Sequence, residues 1–563
     1  MTNLQIAELL RAVAAAYQYK DQKKNFFKIT AYNRAADAVE HATSELKDLW
    51  DDGKLDEVPG IGPSIADHLD EIFKTGKSKH FESVMEGIPK EAFKLMEVPG
   101  IGIKTAMKMI KEGKKEEIEE KLKEVEEKEK KGKRHLLPYA AVTAGLVIKW
   151  MNQNKNVERI DSLGSLRRQA ATIGDIDLSV ATKKPAEVLT HFTKYPDTQK
   201  IIEKGTISSS IVVPGGIQVD LMVQPPESYG SLLQHFTGSK HHNIALREYA
   251  LKKGLSLSEK GIKNPKTRTV KKTATEEEFY KTLGLDYIPP ELREDTGEIE
   301  AAKERNLPEL VELKDIKSDL QIHSDYDIET SHDIGGSSMQ DLVQKGGELG
   351  YEYLAFTDHN PSQTGHNEKQ IVEILKKRRE KIDQLNYSLQ KKGSVSVKKV
   401  FTSLEIDILP DGNLPVPEGG MDILDFALVS IHSSFLEERA QMTKRVLTAL
   451  THPKVKIFAH PTARKINQRE GIELNWPEIF EFCVKNNKWL EINADPMRLD
   501  LPDTLVREAI KAGVKLTLGT DAHYKDGMNN MTFGISVARR GWAEKENVIN
   551  CLGLTEFIEE FKS

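Results

Sequence analysis

The chain has 563 residues, 38% hydrophobic and 30% charged, with a formal net charge of −6. That length exceeds what one hydrophobic core organises, so several domains are expected. Its only cysteines, Cys483 and Cys551, exclude a disulfide framework and a thiolate zinc site and suit a reducing cytoplasm. No apolar run is long enough to span a bilayer, and "MTNLQIAELLRAVAAAY" reads as an amphipathic helix rather than a signal peptide. A cytoplasmic monomer without a membrane partner is expected. The acidic balance does not advertise nucleic-acid binding, which depends on where the charge sits.

In chain order, residues 1 to about 135 read as helical. They contain a repeat, "VPGIGPSIADHL" from Val58 and "VPGIGIKTAMKM" from Val98. Each is a Pro-Gly-x-Gly turn followed by an amphipathic helix, a turn whose glycines let a phosphate approach helix-start amides. One copy alone is an ordinary helix-hairpin turn; two favour binding of a nucleic-acid backbone through Gly60, Gly62, Gly100 and Gly102. The following "KEGKKEEIEEKLKEVEEKEKKGKR" alternates its charges, as in a solvated connector helix. From about 140 to 225 the texture turns α/β, with "ERIDSLGSL", "IDLSVAT" and "IQVDLMV", and a smaller mixed unit and a polar connector follow. After Lys317, seven short apolar runs alternate with helical spacing: "DLQIH", "YLAFT", "FTSLEIDI", "FALVSIH", "KIFAH", "WLEIN" and "KLTLGTDAH". This alternation predicts parallel strands in a barrel, and most of the strand ends carry His, Asp or Glu, where such folds place their active sites.

Two constellations carry chemistry. In "GDIDLSV", Asp175 and Asp177 project from one face of a strand. Carboxylates that close repel unless a cation lies between them, and hard oxygen ligands select Mg²⁺ or Mn²⁺. Asp220 in "IQVDLMV" is the candidate third carboxylate. Gly164, Ser165 and Arg168 of "LGSLRR" are candidate triphosphate contacts. The second constellation is His323, Asp358, His359, Glu405, His432, His460, Asp521 and His523, from six strand ends. So many imidazoles and carboxylates predict a metal cluster whose mixed N/O ligands fit Zn²⁺ or Mn²⁺.

Together, "GSLRR…GDID…VDL" resembles the nucleotidyltransferase superfamily, and "HFTGSKHHNIALR" (235–247) resembles the nucleotide-binding segment of family X DNA polymerases, the DNA polymerase beta relatives. The tandem turns resemble helix-hairpin-helix motifs. The resemblance implies that Asp175, Asp177 and Asp220 hold two metals, and that Gly164, Ser165, Arg168 and Gly174 contact phosphates. His235, Phe236 and Gly238 lie where the family packs the deoxyribose, with His235 in place of a common Tyr. Asn243 and Arg247 would face the nascent base pair. In the N-terminal unit, which resembles the family's lyase domain, Lys28, Tyr32 and Arg34 would contact DNA. His68 stands at the position of the lyase lysine with Ser64 nearby; neither forms a lysine's imine, so DNA binding without lyase chemistry is expected.

Residues 317–563, with "FTDHN", "LEIDI", "SIHSS", "AHPT" and "GTDAH", resemble the PHP (polymerase and histidinol phosphatase) domain. The equivalents there bind up to three metals for phosphoester cleavage. By motif the ligands are His323, His359, Glu405, His432, His460, Asp521 and His523. Gln321 replaces the usual first histidine. His332, in the longer loop "SDYDIETSHDIGG", is favoured over Asp333 to supply a missing ligand, and Arg464 is the candidate phosphate contact.

The implied architecture is multidomain: an all-α lyase-like domain (1–85), fingers (86–140), an α/β nucleotidyltransferase palm (141–225), a small α+β thumb (226–300), a linker (301–316) and a distorted (βα)7 PHP barrel (317–563). The implied function is gap-filling DNA repair synthesis from dNTPs on gapped or primer-template DNA. To it are added 3′–5′ exonuclease or other 3′-end processing, with abasic-site endonuclease in range. The competing readings are a small-phosphoester phosphatase and a DNA-binding scaffold with an inactive polymerase site.

Overall fold

The computed structural model describes residues 3–40, 60–96, 101–114, 134–392 and 396–562, with isolated positions 46, 50, 53, 55, 118 and 121 between them. By packing, the chain divides into two compact units. The first is Met1–Arg167, Thr172–Gly238 and Arg247–Leu283; the second is Arg168–Ala171, Ser239–Leu246 and Gly284–Ser563. Among the described residues, no helix is long and apolar enough to cross a membrane.

The first unit begins with α1 (Asn3–Asp21) and α2 (Phe26–Glu40). In α1, Ile6, Leu10, Val13, Ala14 and Tyr17 recur at helical spacing, and all are buried. The repeat seen in the sequence recurs in the backbone. Gly62 caps α3 (Pro63–Thr75) at φ −79°, ψ 163°, and Gly102 caps α4 (Ile103–Lys111) at φ −84°, ψ 167°. Gly100, Val98 and most of the charge-alternating stretch lie outside the described residues.

The same unit holds a five-stranded mixed sheet: β1 (Arg159–Ser162), β2 (Ile176–Ala181), β3 (Lys200–Lys204), β4 (Ser208–Val212) and β5 (Gln218–Gln224), in the order β1-β2-β5-β4-β3. β2 and β5 run parallel, and the other pairs are antiparallel. Ile176, Leu178, Val180, Val219 and Leu221 are all fully buried, so the alternate positions, Asp177 and Asp220 among them, fall on the opposite face.

In the second unit all seven apolar runs are strands: β6 (Ser318–Ile322), β7 (Tyr353–Phe356), β8 (Lys399–Thr402) with β9 (Glu405–Asp407), β10 (Ala427–Ser430), β11 (Val455–Phe458), β12 (Trp489–Asn493) and β13 (Leu516–Gly519). The run "FTSLEIDI" is thus two strands rather than one. Every pairing is parallel, in sheets β6-β7-β8 and β9-β10-β11-β12-β13. In place of one continuous barrel sheet, two sheets meet through single parallel bridges, His359 with Glu405 and Ile322 with Ala522. Leu320, Tyr353, Phe401, Leu428, Ile457 and Trp489 gather with Phe557 in one buried cluster. Ile322, Leu354, Ile406, Val429, Leu490 and Leu516 belong to the larger core that includes helix residues such as Leu342, Leu375, Val446 and Val506.

Candidate metal centres

The first centre follows from strand register. Asp177 on β2 lies directly opposite Asp220 on β5, and Asp175 stands two residues before Asp177. Candidate ligand oxygens of the three lie within 4.8 Å of one another. Asp175 is exposed and the other two half-buried. Three carboxylates this close repel one another, and the all-oxygen donor set fits hard divalent ions. Gln218, two residues before Asp220 on the same strand face, donates its amide to both Asp220 oxygens at 3.0 Å; sequence reading had passed over it.

Gly164 sets the backbone turn at "LGSLRR". Its φ is +55°, and a Cβ there would lie 2.6 Å from Asp177 Oδ2. Only glycine lets the turn touch the carboxylate and adopt this conformation without strain. Ser165 follows in the short helix Gly164–Arg167. Gly174 lies by Arg134, whose Nη1 a Cβ would meet at 3.4 Å. His235 and Phe236 sit at the end of the helix Tyr229–Thr237, their rings edge to face at 4.8 Å, and Gly238 caps that helix. Burial, then the nearby Arg247 charge, hold His235 below its usual pKa against Glu259, so it is neutral at pH 7.

Arg168 and Asn243 pack with the second unit. Arg168 Nε donates to Glu294 at 2.8 Å, and its carbonyl accepts from Arg540. Its guanidinium is therefore engaged in an ion pair. Asn243 and Arg247 lie one turn apart on the helix Lys240–Lys252.

The N-terminal candidates separate. Lys28 and Arg34 are exposed, with Lys28 Nζ 5.0 Å from the Tyr17 ring centroid. Tyr32 instead lies in the core, stacked on Tyr17 at 5.8 Å and edge-on to Phe81. Gly60 packs on α2 against Ala38 and Arg34, whereas nothing lies within 4 Å of a Cβ at Gly62 or Gly102. His68 stacks on His80 at 4.2 Å, and His80 Nε2 lies 3.0 Å from the Tyr17 hydroxyl.

The second centre is built from strand ends. Four overlapping groups bring ligand atoms within 4.8 Å: His323, His359 and His523; His332, His359 and His432; Glu405, His432 and His460; and His323, Glu405 and Asp521. Every histidine and carboxylate assigned by motif is thus brought together, and His332 of the long loop joins them. Asp333 is in none of these groups. The loop lies flat on the strand end: a Cβ at Gly335 would meet the His323 carbonyl at 2.2 Å. Asp358 instead braces the site. It accepts from Ser324 N at 2.5 Å and pairs with the fully buried Arg378 at 2.7 Å.

The electrostatics follow from imidazoles and carboxylates crowded together out of water. Burial opposes charge on Glu405, yet His359, His432 and His460 hold its carboxyl well below the usual range. Burial likewise opposes protonation of His323, but the carboxylates of Asp521 and Glu405, 3.1 and 3.4 Å from its Nε2, push it up to about 10. Burial holds His359 well below its usual pKa. His323 Nδ1 and Nε2, His359 Nδ1, His460 Nδ1 and Glu405 Oε2 are buried without a hydrogen-bond partner. Orphaned buried polar atoms of this kind call for an ion or water, and imidazole with carboxylate is a donor set suited to Zn²⁺ or Mn²⁺.

Several supporting residues escaped the sequence reading. Asp407 lies 2.7 Å from both His332 Nε2 and His432 Nδ1. Burial pushes Asp319 up to about 7, although it accepts from Thr520 and Gln321, and pushes Glu491 well above its usual range. Asn493 donates to Gln321 Oε1 at 3.1 Å and to Asp521 Oδ2 at 3.2 Å, so the oxygen of Gln321 is turned to Asn493. Arg464 donates to the carbonyls of Arg498 and Leu499.

Comparison with known proteins adds to this geometry. Residues 232–294 match the DNA polymerase beta thumb, 1–78 a helix-hairpin-helix domain and 52–115 a SAM-like helix-hairpin-helix tandem. The chain is 33% identical to the DNA polymerase/3′-5′ exonuclease PolX of Bacillus subtilis, over 99% of this chain and 98% of that protein. It is 25% identical to DNA polymerase lambda of Rattus norvegicus, over 52% of this chain and 56% of that one. A probable phosphatase of Thermoanaerobacter sp. (strain X514) is 23% identical over 40% of this chain and 89% of its own length.

Proposed function

The chain belongs to the family X DNA polymerases, and from that premise we propose how its two centres divide the work. It is a DNA polymerase with a PolX-like 3′–5′ exonuclease. Polymerisation is placed at Asp175, Asp177 and Asp220, and 3′-end trimming at the cluster of His323, His332, His359, Glu405, His432, His460, Asp521 and His523. The observation that carries the reading is the register of Asp177 against Asp220, with Asp175 beside them.

At the first centre the three carboxylates would hold two ions, Mg²⁺ or Mn²⁺. At the second, the histidines, Glu405 and Asp521 would hold Mn²⁺ or Zn²⁺. When bound, such ions supply charge neutralisation and acidification of the attacking hydroxyl at the first site, and polarisation of a phosphodiester at the second. The protein's own part is positioning. Gln218 orients Asp220, and Gly164 lets the Ser165 turn approach Asp177. His235, Phe236 and Gly238 receive the deoxyribose; Asn243 and Arg247 face the new base pair. Neutral His235 carries one ring donor and one acceptor. At the second centre Asp407 fixes the rings of His332 and His432 through its two oxygens, as an outer carboxylate fixes a metal-binding imidazole.

The domain assignment proposed is the one read from the sequence: lyase-like 1–85, fingers 86–140, palm 141–225, thumb 226–300, linker 301–316 and a distorted (βα)7 PHP barrel over 317–563. The helix-hairpin-helix turns at Gly62 and Gly102 present main-chain amides to the DNA backbone. His68 leaves the first domain a binding role without an imine. Gapped or primer-template DNA and dNTPs are the substrates, and short-gap repair is the task.

One gapped duplex, labelled at the primer and incubated with Mn²⁺ with and without dNTPs, tests the division. Asp175→Ala loses extension and keeps trimming; His359→Ala does the reverse. Loss of both activities in both variants would overturn the two-centre assignment.

A further inference from the structure

We propose that Arg498, in the turn after β12, receives a phosphate oxygen of the substrate at the histidine–carboxylate centre, the role that sequence alone assigned to Arg464. The inference rests on the nuclease reading for its substrate, and its own observation is a buried guanidinium with unmet donors. Arg498 is 12% exposed; its Nε lies 3.4 Å from Asp521 Oδ2 and 3.9 Å from Asp495. Yet Nε and Nη1 are buried with no hydrogen-bond partner.

The chemistry of the missing partner follows from the donor. A guanidinium carries only N–H groups and stays charged. It ligates no cation, so the ions that satisfy the orphaned histidine nitrogens cannot satisfy Arg498. Asp521 at 3.4 Å balances its charge, but the buried Nε and Nη1 still need an acceptor oxygen, and a phosphate oxygen is the strongest a guanidinium meets. A phosphate in reach of both the cluster and the guanidinium meets both demands.

The surrounding turn holds Arg498 in place. Arg464 donates to the carbonyls of Arg498 and Leu499. Asp500 takes Thr462 N on both oxygens at 3.1 Å and pairs with Asn493 through the main chain. Arg464 thus spends its donors on the segment that carries Arg498. Such bracing keeps an anion contact in register before the anion arrives.

The test uses the full chain loaded with Mn²⁺ and inorganic phosphate as the probe, read by calorimetry beside the manganese content per chain. Arg498→Gln is expected to weaken phosphate binding tenfold or more at unchanged manganese content. Arg498→Lys, which keeps the charge without the planar fork, should weaken it less, and serves alone if the Gln variant does not fold. Three results overturn the proposal: no phosphate binding by the unaltered chain, binding unchanged in both variants, or a loss of manganese that matches the loss of phosphate. The last would reduce Arg498 to a prop for Asp521. If the unaltered chain binds phosphate through Arg498 but trims no 3′ end, the nuclease reading falls while the phosphate site stands.

Discussion

Replacing Gly164 by alanine separates a packing role from a catalytic one. At φ +55° an alanine pays a left-handed penalty of about 1 kcal/mol. Its methyl would also sit 2.6 Å from Asp177 Oδ2, where ordinary contact begins at 3.4 Å, so the carboxylate or the turn must yield by about 0.8 Å. Misplacing a reacting group by about 1 Å costs on the order of 100-fold in rate, so primer extension by Gly164→Ala should fall by about that factor. Gly216→Ala is the control: its φ is +75° but nothing lies within 4 Å of its Cβ, so it meets the backbone penalty alone and should extend primers within about twofold of the unaltered chain. Single-nucleotide extension on a gapped duplex, with 3′ trimming measured in parallel, reads both. If Gly164→Ala extends as well as Gly216→Ala, Asp177 is not held where the chemistry needs it.

Gln218→Ala removes two hydrogen bonds to Asp220; a bond to a charged group is worth roughly 1.5–3 kcal/mol, so extension should fall tenfold or more while trimming is unchanged. Asp407→Asn should weaken metal binding at the second centre by about 10–100-fold, the usual cost of losing an outer carboxylate, as read by manganese titration. Arg378→Met leaves Asp358 buried without its guanidinium and should cost about 3–5 kcal/mol in chemical denaturation. Asp319 is raised to about 7 from 3.8. The folded chain therefore binds this proton more tightly than the unfolded one, and stability falls as pH rises between those values. Asp319→Asn lacks that fall, so its melting temperature relative to the unaltered chain should be higher at pH 7.5 than at pH 4.5; an equal difference at both would contradict the assignment.

How far the sequence alone reaches is clearest residue by residue. Asp175, Asp177 and Asp220 were legible because a strand's period of two puts alternate side chains on one face, and "IQVDLMV" repeats that pattern. The same rule would have found Gln218 before Asp220, and Asp407 after Glu405 in "LEIDI". The histidine cluster was legible because polar residues ended successive apolar runs. Residues that act through tertiary contact were not. Asp358 stands beside His359 yet turns to Arg378. Arg464 follows "HPTA" yet its donors go to main-chain carbonyls. Tyr32 lies beside exposed Arg34 but on the buried face of α2. The split of "FTSLEIDI" into two strands, bridged at Glu405 to His359, likewise depends on neighbours distant in sequence.

The two-centre proposal requires two separate sets of side chains that gather divalent cations. Anomalous scattering from manganese in crystals of the full chain, soaked with a non-hydrolysable dNTP, tests it most directly. Peaks are expected among Asp175, Asp177 and Asp220, and further peaks among His323, His359, Glu405, His432, His460 and Asp521. A nucleotide bound with no manganese beside Asp177 and Asp220, or a histidine cluster empty of metal, would contradict it.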